Sequence, residues 1–445
     1  MTKKLILIAL FVFSGSIIYA QNDDEKVQKG QLSGQWRSFY LGTINKDELK
    51  DFHGLATGGK LKYTHAITSR LQLGAAFYTS VNLGIQDLTL ADPVTRRVSR
   101  YEAGLFDVQN LNDRFIGILG ELYAQYSHSN HNLTVGRMKI KSPLLNPQDG
   151  RMIPTLAQGF WYKYQPEKWK MQLGFFNQIA PRSTSGFFDI GESIGKYPVG
   201  RNINGTRSLY GNNTSSKFVA IANVTLKPLK NMELEMWNYY VENIFNTVYI
   251  KPNLKIGNKT KISAEWLHQD QLGTGGNRID SLRYFVDKSS NIIGLQIERK
   301  IGQSKWSIGY DHILKGGRFL FPREWGRESL FSFQKRERSE GTANNHALLV
   351  SYDRTFGTTN KVRSILSAGY HWKPTVTNTA DNKYALPSCT HINMDLFWEP
   401  QKLKGLRPEL LLTYKRGLGH FPDNPNFILN KVDMFQVNLI INYNF

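Results

Sequence analysis

The most regular stretch of the chain is its end. Phe435, Val437, Leu439, Ile441, Tyr443 and Phe445 are apolar, with Gln436, Asn438, Asn442 and Asn444 between them, and only Ile440 out of step. A period of two puts successive side chains on opposite faces of a strand. A tilted strand needs ~9–11 residues to cross a bilayer, and this run is long enough. The same period recurs upstream. Leu71, Leu73, Ala75 and Phe77 show it, as do Ile118, Leu122, Ala124 and Tyr126. So do Trp169, Met171, Leu173 and Phe175; Phe218, Ala220, Ala222 and Val224; and Met232, Leu234 and Met236. Trp306, Ile308 and Tyr310, and then Ile392, Met394, Leu396 and Trp398, complete the series. No helical period of 3.6 competes over a comparable length.

The links between these runs alternate in length. Short ones are expected at residues 68–69, 127–131, 165–168, 227–231, 251–260, 300–304, 357–361 and 399–405. Between them lie mostly longer, polar, glycine-rich links at 42–58, 81–115, 139–158, 179–215, 270–290, 314–344, 373–388 and 416–432, with one short one at 242–245. Eight short turns and nine outer loops predict an all-β chain of about eighteen strands. Short turns on one side and long loops on the other are the mark of a transmembrane antiparallel β-barrel with both ends in the periplasm.

The first twenty residues fit export. Lys3 and Lys4 precede an apolar run from Leu5 to Phe13, and Ala20 offers a small residue at a cut before Gln21. This reads as a signal peptide over 1–20, leaving residues 21–445 as the barrel. Beyond it no run of eighteen apolar residues marks a membrane helix. A mean hydropathy of −0.40 suits a barrel, in which only alternate strand residues meet lipid. The 21 Tyr, 25 Phe and 9 Trp suit two interfacial girdles. A single cysteine, Cys389, excludes an intramolecular disulfide. The net charge is +20, or +18 once Lys3 and Lys4 are removed. In an exported chain with no nucleic-acid motif, that excess points to lipopolysaccharide or to a cation-lined pore.

One segment carries a family resemblance. Residues 133–159 run from a strand ending in a Gly-polar pair into a proline-containing loop. The core of that loop is Asp149-Gly150-Arg151-Met152-Ile153-Pro154, and Gly159 closes it. This resembles the OprD-type outer-membrane porins, as does the opening strand from Gln35 to Tyr40. The resemblance implies eighteen strands and passage of small organic solutes, often carboxylates. It also implies a third outer loop that folds inward to narrow the pore with another long loop, and basic side chains along the wall.

A pore needs size and field rather than chemistry. Asp149 and Arg151 in the third loop, with Lys139 and Lys141 beside them, are the expected constriction. Arg182, Arg201 and Arg207 in the fourth loop either join it or meet lipopolysaccharide phosphates. An Arg fork grips a carboxylate with two bonds, whereas Asp149 paired with Arg151 would only shape a turn. Lys60, Lys62, Lys163, Lys170, Lys305 and Lys415 share the polar parity of their strands, so they should face the lumen or a rim. A lysine facing mid-bilayer lipid costs ~2–4 kcal/mol. Glu121, Glu233, Glu235, Glu265, Glu298, Asp311 and Asp395 share that parity, and pairing across neighbouring strands is the expected fate of most. Arg137 shares parity with Leu133 and Val135 and is expected at a loop edge.

No cofactor or metal is expected, and no enzyme. His128 and His131 flank a turn without acid or Cys partners, and no G-x-S-x-G or H-E-x-x-H occurs. The expected function is an outer-membrane porin for small polar solutes, anionic or zwitterionic. The rival readings are a lipase- or protease-like barrel and a plugged receptor barrel. The expected partners are solutes, outer-membrane lipid and lipopolysaccharide, further copies of the chain, and the barrel assembly machinery, which would recognise the strand ending in Phe445.

Overall fold

The computed structural model describes residues 30–148, 151–197, 199–358 and 360–445. The alternating segments become β1 (Gln31–Ile44), β2 (Phe52–Ala66), β3 (Leu71–Asn82), β4 (Phe115–His128), β5 (His131–Met138), β6 (Leu156–Tyr164) and β7 (Trp169–Ala180). A two-residue piece, β8 (Phe188–Asp189), lies within a loop. There follow β9 (Val219–Leu229), β10 (Met232–Val241), β11 (Phe245–Ile256), β12 (Thr260–Gln271), β13 (Ser289–Ile301) and β14 (Ser304–Ile313). The wall ends with β15 (Asn345–Phe356), β16 (Lys361–Trp372), β17 (Cys389–Glu399), β18 (Leu406–Gly417) and β19 (Met434–Asn444). With β8 set aside, eighteen strands form the wall. Each pairs antiparallel with its neighbours, β7 bonds directly to β9, and β1 bonds to both β2 and β19. The ring is closed, so no strand edge is left unpaired, as a bilayer requires. The eight turns and nine outer loops fall where the alternation of link lengths put them.

Outward positions carry exposed apolar side chains such as Leu73, Phe77, Leu133, Val135, Leu295 and Ile308. Exposed rings gather at both ends of this belt. Phe115, Tyr240, Trp372 and Phe435 lie toward the long loops; Tyr126, Trp169, Trp306, Trp398 and Tyr443 lie toward the short turns. That is the double girdle of a membrane barrel.

Three local expectations change. The outer link 42–58 shrinks to 45–51, because β2 starts at Phe52. Its glycines read as loop but serve close strand approach. Gly58 has φ +152°, and a Cβ there would lie 2.4 Å from the Thr79 carbonyl oxygen. The turn expected at 251–260 shrinks to 257–259. Strand β11 continues past Pro252, whose missing N–H is tolerated where the ladder to β12 skips from Ile250 to Asn253. In β4 a bulge at Gly120 breaks the alternation, pairing Ala76 with Glu121 but Phe77 with Leu119. Ile118 therefore faces inward and is buried, while Leu122 faces out.

The lumen contains a core supplied by the outer loops. Ile140, Leu144 and Leu145 of loop 139–155, Ile190 and Ile194 of loop 181–218, and Phe319, Leu320, Phe321 and Trp325 of loop 314–344 pack on inward Trp161, Phe176, Tyr239 and Leu267. A second cluster joins Tyr101, Leu105 and Phe106 of loop 83–114 and Met152 to the wall residues Phe39, Leu41 and Ile440. Ile440, like Met434, is an apolar residue on the otherwise polar inner face of the last strand and packs in this cluster.

Candidate functional site

The inward loops bring their charged tips together. Loop 83–114 supplies Arg96, Arg97 and Arg100; loop 139–155 supplies Arg151; loop 181–218 supplies Arg182, Arg201 and Arg207. Arg323, Arg336 and Arg338 come from loop 314–344, Lys383 from 373–388, Lys431 from 418–433, and Lys415 from β18. Together they line a chamber of about 950 Å³. Its described lining holds ten arginines and three lysines against one carboxylate, Glu337. That carboxylate is already engaged, by Lys373 Nζ at 3.0 Å and by Lys415. The field in the chamber is therefore positive.

Backbone carbonyls and rings hold these cations in place. Arg182 donates to the Arg323 carbonyl and lies 4.3 Å over the Tyr197 ring. Arg323 pairs with Glu340 and sits 3.6 Å over Tyr384. Arg201 donates to the carbonyls of Val376 and Asn382, at 2.8 Å each. Arg37 of β1 donates to the Arg151 carbonyl at 2.7 Å, which ties the third loop to the wall. Gly104 gives the Arg151 guanidinium room, since a Cβ there would lie 2.8 Å from its Nε. Burial lowers Arg151 to about 10 and Arg182 to about 9, so both stay cationic at neutral pH. Burial also lowers Lys383, to about 8.

Of the residues singled out from sequence, Arg151, Arg182, Arg201 and Arg207 meet in the chamber, with Arg207 at its exposed rim. Lys139 and Lys141 do not line it. Both are exposed, and Lys139 lies 5.2 Å over the Tyr78 ring. Asp149 lies outside the described residues. Among the wall lysines, Lys62 pairs with Glu121 at 2.8 Å and Lys305 with Glu298 at 3.0 Å. Lys415 pairs with a loop residue, Glu337, rather than with a neighbouring strand. Lys60 and Lys163 are half-buried on the lumen side, and Lys170 is exposed beside a short turn. Arg137 lies near the outer end of β5, 4.4 Å over the Phe187 ring of an outer loop. His131 bonds the Tyr162 hydroxyl through Nδ1 at 2.7 Å. No cluster of three metal-binding side chains occurs among the described residues.

Several acidic wall residues moor one loop. Glu265 accepts from the Phe331 N–H at 2.9 Å, and Asp311 from the Ser332 N–H at 2.5 Å. Lys335 reaches Asp395 at 2.7 Å and Glu409 at 2.8 Å. Loop 314–344 is thus fixed inside the barrel from β12 to β18.

A model of the outer membrane porin OprD family matches residues 113–359, more than half of the 445-residue chain. The chain belongs to the OprD family. Solved structures agree on the fold over nearly the whole barrel. Pseudomonas aeruginosa OpdK, crystallised with vanillate, superposes with a TM-score of 0.67 at 16% identity, covering 94% of this chain and 99% of that one. Acinetobacter baumannii OccAB3 gives 0.69 at 14%, covering 94% and 99%. Pseudomonas aeruginosa OccK8 (OprE) gives 0.67 at 16%, covering 94% and 98%. No curated protein sequence matches the chain. As an OprD-family member it is an outer-membrane porin channel for small solutes. The matched segment covers the third loop and loop 314–344, two of the elements that shape the chamber, and the moorings of the latter on Glu265 and Asp311.

Sequence reasoning missed Arg96, Arg97, Arg100, Arg323, Arg336, Arg338, Lys383 and Lys431. The run Lys335-Arg336-Glu337-Arg338 reads as solvated loop, and only its position in an unusually long outer link could have marked it.

Proposed function

We propose that this porin selects small organic anions, carboxylates foremost, and that the arginine-lined chamber is its selective region. The excess of thirteen cations over one engaged carboxylate around about 950 Å³ carries the reading. A cleft of one sign with low-dielectric walls concentrates counter-ions. Arg forks suit planar carboxylates, and the rings of Tyr101, Tyr197 and Phe333 offer contact to an apolar body. The vanillate held by OpdK is a solute of this kind. Arg151, Arg182, Arg201 and Arg207 would touch the solute, while Lys60, Lys62, Lys163, Lys170, Lys305 and Lys415 would shape the field along the wall. Export with cleavage near Ala20, assembly through the strand ending in Phe445, contact with lipopolysaccharide and association of copies belong to the same proposal. Proteoliposomes carrying the mature protein should take up benzoate several-fold faster than benzylammonium. Equal uptake, or a preference for the cation, would refute anion selection.

A further inference from the structure

We propose that the chamber takes solutes with two anionic groups and grips one at each end, an inference that rests on its being the anion-selective region.

The chamber's cations form two groups at different depths. The deep group holds Arg182 and Arg336, beside Arg151. Arg336 donates to the Asn438 side chain of β19. Asn438 lies about 13 Å along that strand from its outer end at Met434, at roughly 3.3 Å per residue. Arg37, which holds the Arg151 carbonyl, is further down still, opposite Asn442. The outer group holds Arg97, Arg201 and Lys431. Lys431 precedes the outer end of β19 and donates to the Ala385 carbonyl at 3.1 Å. Arg201 is fixed to the same outer loop, and Arg97 Nε donates to Asn426 at 2.6 Å. Repulsions run within each group: Arg100, Arg97 and Arg201 act on Lys431, and Arg338 and Arg151 act on Arg182.

Both groups have donors to spare. The nearby carboxylates are engaged: Glu340 by Arg323, Glu328 by Arg338, Glu337 by two lysines, Asp395 and Glu409 by Lys335, Glu102 by Thr43 and Ser99, and Glu324 by the Gly195 N–H. Buried Nε atoms of Arg182 and Arg336 in the deep group, and of Arg201 in the outer group, have no hydrogen-bond acceptor among the described residues. Leaving buried donors unmet is costly, and an incoming anion would satisfy them. A solute with one carboxylate can serve one group. A solute with a carboxylate at each end can serve both, and its second contact is then intramolecular. Such two-point binding exceeds single-point affinity by ~10²–10⁴ when the span fits.

The test uses single channels of the mature protein in planar bilayers, with benzoate, 1,4-benzenedicarboxylate and 1,2-benzenedicarboxylate as blockers. The two dicarboxylates carry the same charge, but only the 1,4-isomer places it at opposite ends. Its blocking events should last at least ~10-fold longer than those of the other two. The double substitution Arg201→Gln with Lys431→Gln should shorten them to the benzoate value, as should Arg336→Gln. Equal dwell times for the two isomers in the unaltered channel would overturn the two-ended grip, and that comparison needs no variant. A channel that keeps its anion preference while showing equal dwells loses only the present proposal. A channel with no anion preference loses the reading beneath it.

Discussion

Glu337 and Lys415 form a buried ion pair between the tip of an outer loop and the inner face of β18. The other carboxylate oxygen takes Lys373 Nζ at 3.0 Å. The Glu337 side chain thus ties loop 314–344 to β18 and to Lys373, beside the moorings through Glu265, Asp311 and Lys335. Glu337→Gln should leave two buried ammonium groups uncompensated, at a cost of about 3–5 kcal/mol, borne by the loop rather than by the hydrogen-bonded wall. The expected result is a normally assembled barrel whose single-channel current flickers. A current as quiet as that of the unaltered channel would show that the pair does not hold the loop.

The same pair sets a pH limit. Burial opposes ionisation of Glu337, but Lys373 and Lys415 hold its carboxyl well below the usual carboxylate range. Its folded pKa therefore lies below its unfolded one. The stabilisation is complete above the usual carboxylate pKa and is lost only as pH falls through the depressed one. Currents should stay steady at pH 5 and become noisy only below about pH 4, the ordinary carboxylate value. Flicker that sets in between pH 6 and pH 5 would contradict this.

Alkaline pH should act on the chamber through Lys383. Burial lowers it to about 8, and its ammonium donates to the Tyr210 hydroxyl at 3.1 Å. Above that pH the chamber loses a positive charge, so anion preference should fall between pH 7 and pH 9. Lys383→Met should start with the weaker preference and show a flatter profile. An identical pH profile in the variant would assign the titration elsewhere.

Phe445 closes the seam. Its N–H donates to the Gly34 carbonyl at 3.1 Å, and its carbonyl accepts from the Gly34 N–H at 2.8 Å. The residue is 60% exposed, and its ring lies over Gly34 of β1, where a Cβ would meet it at 2.2 Å. Deleting Phe445 should cut the yield of heat-modifiable barrel in the outer membrane several-fold. Undiminished assembly would mean that the terminal ring is not part of the assembly signal.

The wall was legible in the sequence because its cause is local. Lipid faces alternate residues, so the period of two survives even in short windows, and the strand ending at Phe445 shows it plainly. The bulge at Gly120 was not legible, since one extra residue only shifts parity, and Ile118 and Leu122 then seem to share a face. The chamber was half legible. Arg151 stands in the loop that the resemblance marks as inward, whereas Arg182 stands in a long loop whose sequence fits the constriction and the outer surface equally. Arg336, Arg338 and Lys383 depend on contacts between distant segments. Lys335 meets Asp395 and Glu409, and Glu337 meets Lys373 and Lys415. No local pattern records which of two long outer loops enters the barrel.

The most direct measurement is the reversal potential of the mature protein in a planar bilayer under a salt gradient, repeated with Arg151→Ala and Arg182→Ala. At ~0.1 M salt the screening length is ~10 Å, so the chamber's field should reach across its opening; at 1 M it is ~3 Å and should not. The unaltered channel should show an anion-selective potential at low salt that shrinks at high salt, and each substitution should weaken it. A potential near zero or of cation-selective sign at low salt would show that the arginines do not govern what passes.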